Sequence, residues 1–319
     1  MPDEPERMVC MEVWGGCEPI ERAVTMAGLD AWVYSKPYCE REGDGAQGGG
    51  DVYYVSSCAT GRINRLLVAD VSGHGAGVRA IAVVLRDLMR RYVNYLDQSR
   101  FVTAMNARFV ESSDVGVFAT AVVTTFFAPT CTLSVCNAGH PQPLVYRKAT
   151  GRWELLSAVR EGREVGTLPL GIVEIEDAAQ FEAALDVGDL VLIYTDSLVE
   201  ARVGGGELLG TDGLLRIANE PGLSAGEPAG VVPALLKAIE RESGRPLEQD
   251  DVTCLLLRPT GAAVRVTWRE QVAATFRVVR GVVGALVRLK RPPLPDRHPA
   301  NMPGMVVPGL QRRWHGPRT

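Results

Sequence analysis

Four places along this 319-residue chain set a carboxylate at the end of an apolar run, beside a tight turn of glycine or other small residues. In LLVADVSGHGAG (66–77) the run ends on Asp70 and enters a Gly/Ser/His bend. GGGDVYYV puts Asp51 at the glycine-rich mouth of a second run, and DLVLIYTDSLVEA puts Asp196 just past a third. EQDDVTCLLLR puts Asp250 and Asp251 just before a fourth. Buried carboxylates near one another repel, and each is driven toward its neutral form. Hard divalent cations remove that cost, because Mg²⁺ and Mn²⁺ prefer oxygen ligands. Two such ions roughly 3.5–4 Å apart lower the pKa of a shared water and clamp a phosphoryl oxygen. That chemistry hydrolyses a phosphoester without a protein nucleophile. Taken singly each signal is weak, since an Asp at a strand end more often forms a turn or caps a helix. The DVSGHGAG bend lacks the GK[ST] of a phosphate-binding P-loop, which excludes that reading.

The elements that must hold these carboxylates are strands. Residues 65–70 and 190–194 have the unbroken apolar composition of buried strands, and 252–257 closes the series. Residues 117–128, 130–137, 143–147, 153–156 and 180–185 read as successive strands separated by turn residues. Helical spacing over 76–95 puts Val78, Ile81, Leu85, Leu88 and Tyr92 on one side, and 101–111, 211–219 and 231–241 follow the same pattern. Long antiparallel β content with helices in pairs predicts an α+β fold, sheets covered by helices, over a doubly wound parallel sheet. Residues 1–30 are expected as an N-terminal arm, 31–259 as the main domain, and 260–319 as a basic helix with a proline-rich tail.

Composition is that of a globular protein: 46% hydrophobic and 23% charged, with no uncharged apolar stretch long enough to span a bilayer. The acidic start MPDEPERMVCMEVWGG lacks a secretory pattern, and seven scattered cysteines predict reduced thiols in a cytoplasmic protein. Residues 260–319 carry +9 and the remainder −13. An acidic body argues against nucleic acid as a partner. Over 264–291, Arg269, Arg277, Arg280, Arg288 and Arg291 fall within roughly a 100° arc, with Phe276, Val279, Val283 and Leu286 mostly opposite. Such a helix packs on its own domain, docks a partner or lies on an acidic membrane surface.

The ordered set GGD-x-Y, ADVSGHG, NAGHPQP, LPLG, YTDSLVEA and DDVTCLLLR, over about residues 45–258, resembles the PPM-type metal-dependent serine/threonine phosphatases. More narrowly it is similar to their bacterial SpoIIE/RsbU branch. The resemblance implies two antiparallel sheets packed as a sandwich and flanked by helix pairs. It implies two Mn²⁺ or Mg²⁺ ions, with a third in some relatives, and attack on phosphorus by water held between the metals. Asp70 would bridge both ions, and the Val71 carbonyl would join the second site. Asp196 and Asp250 would complete the first site, Asp51 would hold the second, and Asp251 would stand behind them or hold a third metal. Tyr54 replaces an acidic residue common in the first motif, and Ser197 replaces a common glycine. Eukaryotic relatives carry a His two positions after the bridging Asp, where this chain has Ser72. His74 is then the candidate acid, with a place in the turn as its alternative. His140 and Asn137, in NAGHPQP, are expected to fix a turn. The implied activity is dephosphorylation of phosphoserine or phosphothreonine on a regulatory protein, such as an anti-sigma factor antagonist. A non-catalytic binding module of the same fold and a hydrolase of a small phosphorylated metabolite are the alternatives. The oligomeric state is not legible.

Overall fold

The structure is a computed structural model. It describes residues 1–262 except 3–4, 9–12, 39–48, 58–61, 73–75, 93–97, 113–117, 157–158, 161–162, 165–167, 176–177, 205, 224–226 and 248–249. His74, the basic segment 264–291 and the proline-rich end therefore lie outside the described residues.

Strands β1 (Glu6–Arg7), β2 (Val13–Gly16), β3 (Ile20–Met26), β4 (Leu29–Lys36), β5 (Asp51–Ser57) and β6 (Ile63–Val71) precede helices α1 (Ala76–Arg91) and α2 (Gln98–Ser112). Then come β7 (Ala119–Phe127), β8 (Thr132–Ala138), β9 (Leu144–Arg147), β10 (Arg152–Leu155), β11 (Val159–Arg160), β12 (Arg163–Glu164), β13 (Phe181–Ala184) and β14 (Leu190–Tyr194). The chain continues through β15 (Arg202–Val203), β16 (Glu207–Leu208), α3 (Gly210–Ala218) and α4 (Pro228–Ser243) into β17 (Val252–Pro259).

Two sheets dominate, one ordered β1-β3-β4-β17-β14-β9-β10 and the other β13-β8-β7-β6-β5-β2. Pairing is antiparallel throughout except for the two-residue β1 against β3. The α+β sandwich is as expected, with α1 and α2 on one outer face and α3 and α4 on the other.

Burial on both faces explains the apolar runs. In β17, Leu255 and Leu257 face the other sheet, while Cys254 and Leu256 face the α3–α4 layer. In β6, Leu66 and Val68 face inward while Leu67, Ala69 and Val71 pack under α1 and α2. A strand covered on both sides needs no polar alternation.

Residues 1–30, expected as an N-terminal arm, contribute strands to both main sheets: β2 extends one sheet beside β5 and β3 lies inside the other beside β4. The β3–β4 turn passes through Gly28 at φ +74°, a conformation open to glycine. The sign of this hairpin is the Ala-Gly turn between the apolar residues of IERAVTM and LDAWVYSK. Among the described residues, no helix is long and apolar enough to cross a membrane.

Candidate metal-dependent active site

The strand ends place the carboxylates. Asp51 opens β5 and Asp70 nearly closes β6, and the two stand opposite each other in the antiparallel ladder. Asp196 begins a short 3₁₀ turn directly after β14, and Asp250 and Asp251 immediately precede β17. β14 and β17 belong to one sheet and β5 and β6 to the other, so both sheets deliver carboxylates to the same end of the sandwich.

These groups feel one another. Asp70 is pushed up to about 7, first by burial and then by the charges of Asp196, Asp250, Asp251 and Glu200. Burial also drives Asp51 well above the ordinary carboxylate range, and Asp70 and Asp251 add to that rise. Asp196 is raised by burial, then by Glu200 and Asp250.

Two positions hold the arrangement from behind. Asp251, almost fully buried, accepts the Tyr38 N–H at 2.5 Å on Oδ1 and the Asp51 N–H at 3.1 Å on Oδ2. Its carboxylate thus ties the two sheets together across the mouth of the glycine loop. A Cβ on Gly49 would lie 1.8 Å from Asp251 Oδ2, so this glycine lets the backbone approach the carboxylate. Thr195, wholly buried, donates its hydroxyl to Asp51 Oδ2 at 2.9 Å and accepts the Thr253 N–H at 2.9 Å.

Val71 follows Asp70 at the end of β6, its N–H bonded to the Gly50 carbonyl at 3.0 Å. Ser72 is engaged with the scaffold: its hydroxyl accepts the Phe118 N–H at 2.9 Å and its N–H donates to the Phe118 carbonyl at 2.9 Å. Asn137 brackets the next turn, accepting the His140 N–H and donating to the His140 carbonyl, each at 2.8 Å. The His140 Nδ1 bonds Thr120 at 2.8 Å, and burial pushes its imidazole down to about 4, so it is neutral at pH 7. Thr120 is the neighbour of Asp70 on β7, which places His140 behind the acidic end.

Thr195, Glu200 and Gly49 escaped the sequence reading. Thr195 directly precedes Asp196, and Glu200 follows Asp196 by four residues, its N–H bonded to the Asp196 carbonyl at 2.8 Å. Either could have been found from the YTDSLVEA motif itself.

Among the described residues, no three acidic, His or Cys side chains close into a finished metal cage. The donor chemistry nonetheless fits a hard divalent ion: carboxylate oxygens from both sheets beside a strand-end carbonyl, with their charges mutually unrelieved. Asp51, Asp70, Asp196 and Asp250 would hold it, together with the Val71 carbonyl.

The sandwich and its acidic strand ends define a PPM-type phosphatase domain. Within that class the chain belongs to the Stage II sporulation protein E (SpoIIE) family, whose model matches residues 61–260. It is similar to the RsbU and RsbW domains of a Mycobacterium tuberculosis protein, at 24% identity and TM-score 0.59, covering 76% of this chain and 63% of that one. The PP2C phosphatase domain of SpoIIE from Bacillus subtilis, solved with a fragment of its regulatory domain, matches at 16% identity and TM-score 0.55 over 72% of this chain and 63% of that one. RsbX, solved in complex with magnesium, matches at 15% identity and TM-score 0.51 over 75% of this chain and 99% of its own. The chain thus spans less than two thirds of the first two relatives. A search of curated protein sequences returns no match.

Proposed function

We propose that this chain is a cytoplasmic, divalent-metal-dependent protein phosphatase that removes phosphate from serine or threonine of a regulatory protein. The observation that carries this reading is the convergence of Asp51, Asp70, Asp196 and Asp250 from four strand ends, with Asp70 raised to about 7 by burial and its acidic neighbours. Carboxylates held at such mutual cost belong to a site built for cations. RsbX carries magnesium in its crystal structure, and we bring that class of ion, Mg²⁺ or Mn²⁺, to these carboxylates. When bound, the ions supply a water of lowered pKa and positive charge beside the phosphoryl oxygens.

The chain's own residues do the rest. Asp70 stands between the donors of the two sheets and would contact both ions. Thr195 holds Asp51 through one of its carboxylate oxygens. Asp251, with both oxygens bonded to backbone N–H groups, acts by positioning. As the water oxygen bonds to phosphorus the seryl or threonyl oxygen leaves and takes a proton, for which His74 is the proposed donor. A phosphorylated regulator, such as an anti-sigma factor antagonist, is the proposed substrate, in keeping with the relative solved with its RsbU and RsbW domains together.

The test is purified full chain with Mn²⁺ or Mg²⁺, p-nitrophenyl phosphate, and panels of phosphopeptides, nucleotides and sugar phosphates. Metal-dependent release with preference for phosphopeptides is expected. No release with either metal would leave only a binding module, and a preference for metabolites would defeat the protein substrate.

A further inference from the structure

Beside the acidic end lies a cavity of about 210 Å³, between the β15–β16 hairpin and the turn that follows α4. Ser197, Glu200 and Asp250 line the side that meets the carboxylate site, and Arg202 and Arg245 line it as well. The cavity therefore carries both signs of charge and opens against the place where a phosphoryl group would sit. Its size decides what enters. Pockets that enclose a whole small molecule run to about 300–1,000 Å³, so this one takes a side chain of a larger substrate.

The two guanidinium groups are available. Arg202 Nη1 donates to the Gly206 carbonyl at 3.0 Å, which closes the hairpin and leaves its remaining N–H groups without a carboxylate among the described residues. Arg245 is anchored through its backbone: its N–H bonds the Ser243 hydroxyl at 3.3 Å, and that hydroxyl donates to its carbonyl at 2.8 Å. Its guanidinium has no ion pair among the described residues. The arginines on the neighbouring helices are engaged: Arg216 pairs with Glu242, and Arg241 with Glu220. Two arginines without an ion pair among the described residues line one small cavity, and a guanidinium is a fork for a carboxylate. Pro246 and Leu247 add apolar wall for the methylenes of a longer acidic side chain.

We infer that this cavity is a specificity subsite that receives an acidic side chain, best a glutamate, adjacent to the phosphorylated residue of the protein substrate. The inference rests on the phosphoprotein reading above. Arg245 is the principal contact and Arg202 the second. Neither touches the reacting phosphoryl group, so both set substrate choice.

The experiment uses the full chain with Mn²⁺ and one phosphoserine peptide made with Glu, Gln or Lys beside the phosphoserine, alongside p-nitrophenyl phosphate. Binding of the same fluorescein-labelled peptides is followed by anisotropy. Wild type is expected to favour Glu over Gln by about 3–10-fold, the value of one or two partly exposed charge pairs, and to disfavour Lys further, with the difference in KM. Arg245→Ala is expected to erase the Glu advantage, and Arg202→Ala to reduce it. Both should leave p-nitrophenyl phosphate turnover within twofold. Arg245→Glu should turn the preference toward Lys, an inversion that general damage to the fold cannot produce. Equal use of the three peptides by wild type, or an equal fall for peptides and p-nitrophenyl phosphate in Arg245→Ala, would overturn the subsite while leaving the phosphatase intact. Absence of all turnover together with an Arg245-dependent preference for Glu in binding would overturn the phosphatase and keep the subsite.

Discussion

The two ends of the sandwich treat buried aspartates in opposite ways. At one end, Asp189, just before β14, accepts Arg147 Nη1 at 3.0 Å and the N–H groups of Lys148 and Asp186 at 3.0 and 3.1 Å. Asp30, near the start of β4, accepts Arg258 at 2.8 Å and the Thr25 hydroxyl at 2.7 Å. Each is a stitch between neighbouring segments. At the other end Asp51 is buried to the same degree as Asp30, yet it has no ion pair among the described residues, and burial followed by the charges of Asp70 and Asp251 drives it well above the ordinary carboxylate range. Residue type and exposure are alike, and what differs is whether a cation answers the buried charge: an arginine meets Asp189 and Asp30, while Asp51 faces Asp70 and Asp251.

The strongest way to break this contrast is Asp70→Asn. It should abolish metal-dependent turnover, by more than the roughly 10–100-fold that supporting residues around a metal cost. In chelator-treated protein it should raise the melting temperature, because it removes a charge that its surroundings oppose. The sign of the pH dependence follows. A carboxylate raised to about 7 contributes stability that is fully present below its ordinary value of 3.8 and is lost as pH rises through about 7. The melting-temperature gap between Asp70→Asn and wild type should therefore widen from pH 5 to pH 8, and saturating Mn²⁺ should close or reverse it. A gap that stays flat with pH would mean Asp70 is already paired.

At the opposite end Asp189→Asn should do the reverse. Weakening the hydrogen bonds that this buried carboxylate accepts costs about 1–3 kcal/mol, read by urea unfolding, while turnover per folded molecule stays at the wild-type value. Loss of activity in proportion to Asp70→Asn would erase the distinction between the two ends.

Much of this was legible before any coordinates, for a definite reason. Leu66–Leu67–Val68, Val191–Leu192–Ile193 and Leu255–Leu256–Leu257 are apolar on consecutive positions because sheet and helices cover both faces, so composition reveals the strands and their ends reveal the carboxylates. The supports were not legible. The need for glycine at residue 49 comes from Asp251, some two hundred positions later, and local sequence holds no trace of that approach. Thr195 reads as an ordinary strand-end threonine until Asp51 is brought against it. The strands within the first thirty residues are weakly signalled because only Ala23, Val24 and Met26 of β3 are buried, too brief an apolar pattern to mark a strand.

Gly49→Ala sharpens the comparison from the support side. Its Cβ would overlap the Asp251 carboxylate, so either the loop or Asp251 must move. A cost of about 1–3 kcal/mol is expected from such overpacking, with weaker Mn²⁺ activation as the Asp51 mouth shifts. A Mn²⁺ half-activation concentration equal to wild type would show that the loop moves without carrying Asp51 along.

Thr195→Val is the mildest probe, because it keeps the shape of a wholly buried side chain and removes one hydroxyl. That hydroxyl links the ends of two sheets: it donates to Asp51 Oδ2 and accepts the Thr253 N–H at the start of β17. Its loss leaves the Thr253 N–H without that acceptor, at about 1–2 kcal/mol, and withdraws one of the two hydrogen bonds, from Thr253 and Thr195, that lower the proton affinity of Asp51. Asp51 should then hold its proton more tightly and compete less well for a cation, so Mn²⁺ activation should shift several-fold to higher concentration at pH 6.5 and less at pH 8. Thr195→Ser keeps the hydroxyl and should restore the wild-type pH dependence. A shift that is the same at both pH values would place the effect in packing rather than in the Asp51 proton, and would make Thr195 a stitch like those at the far end.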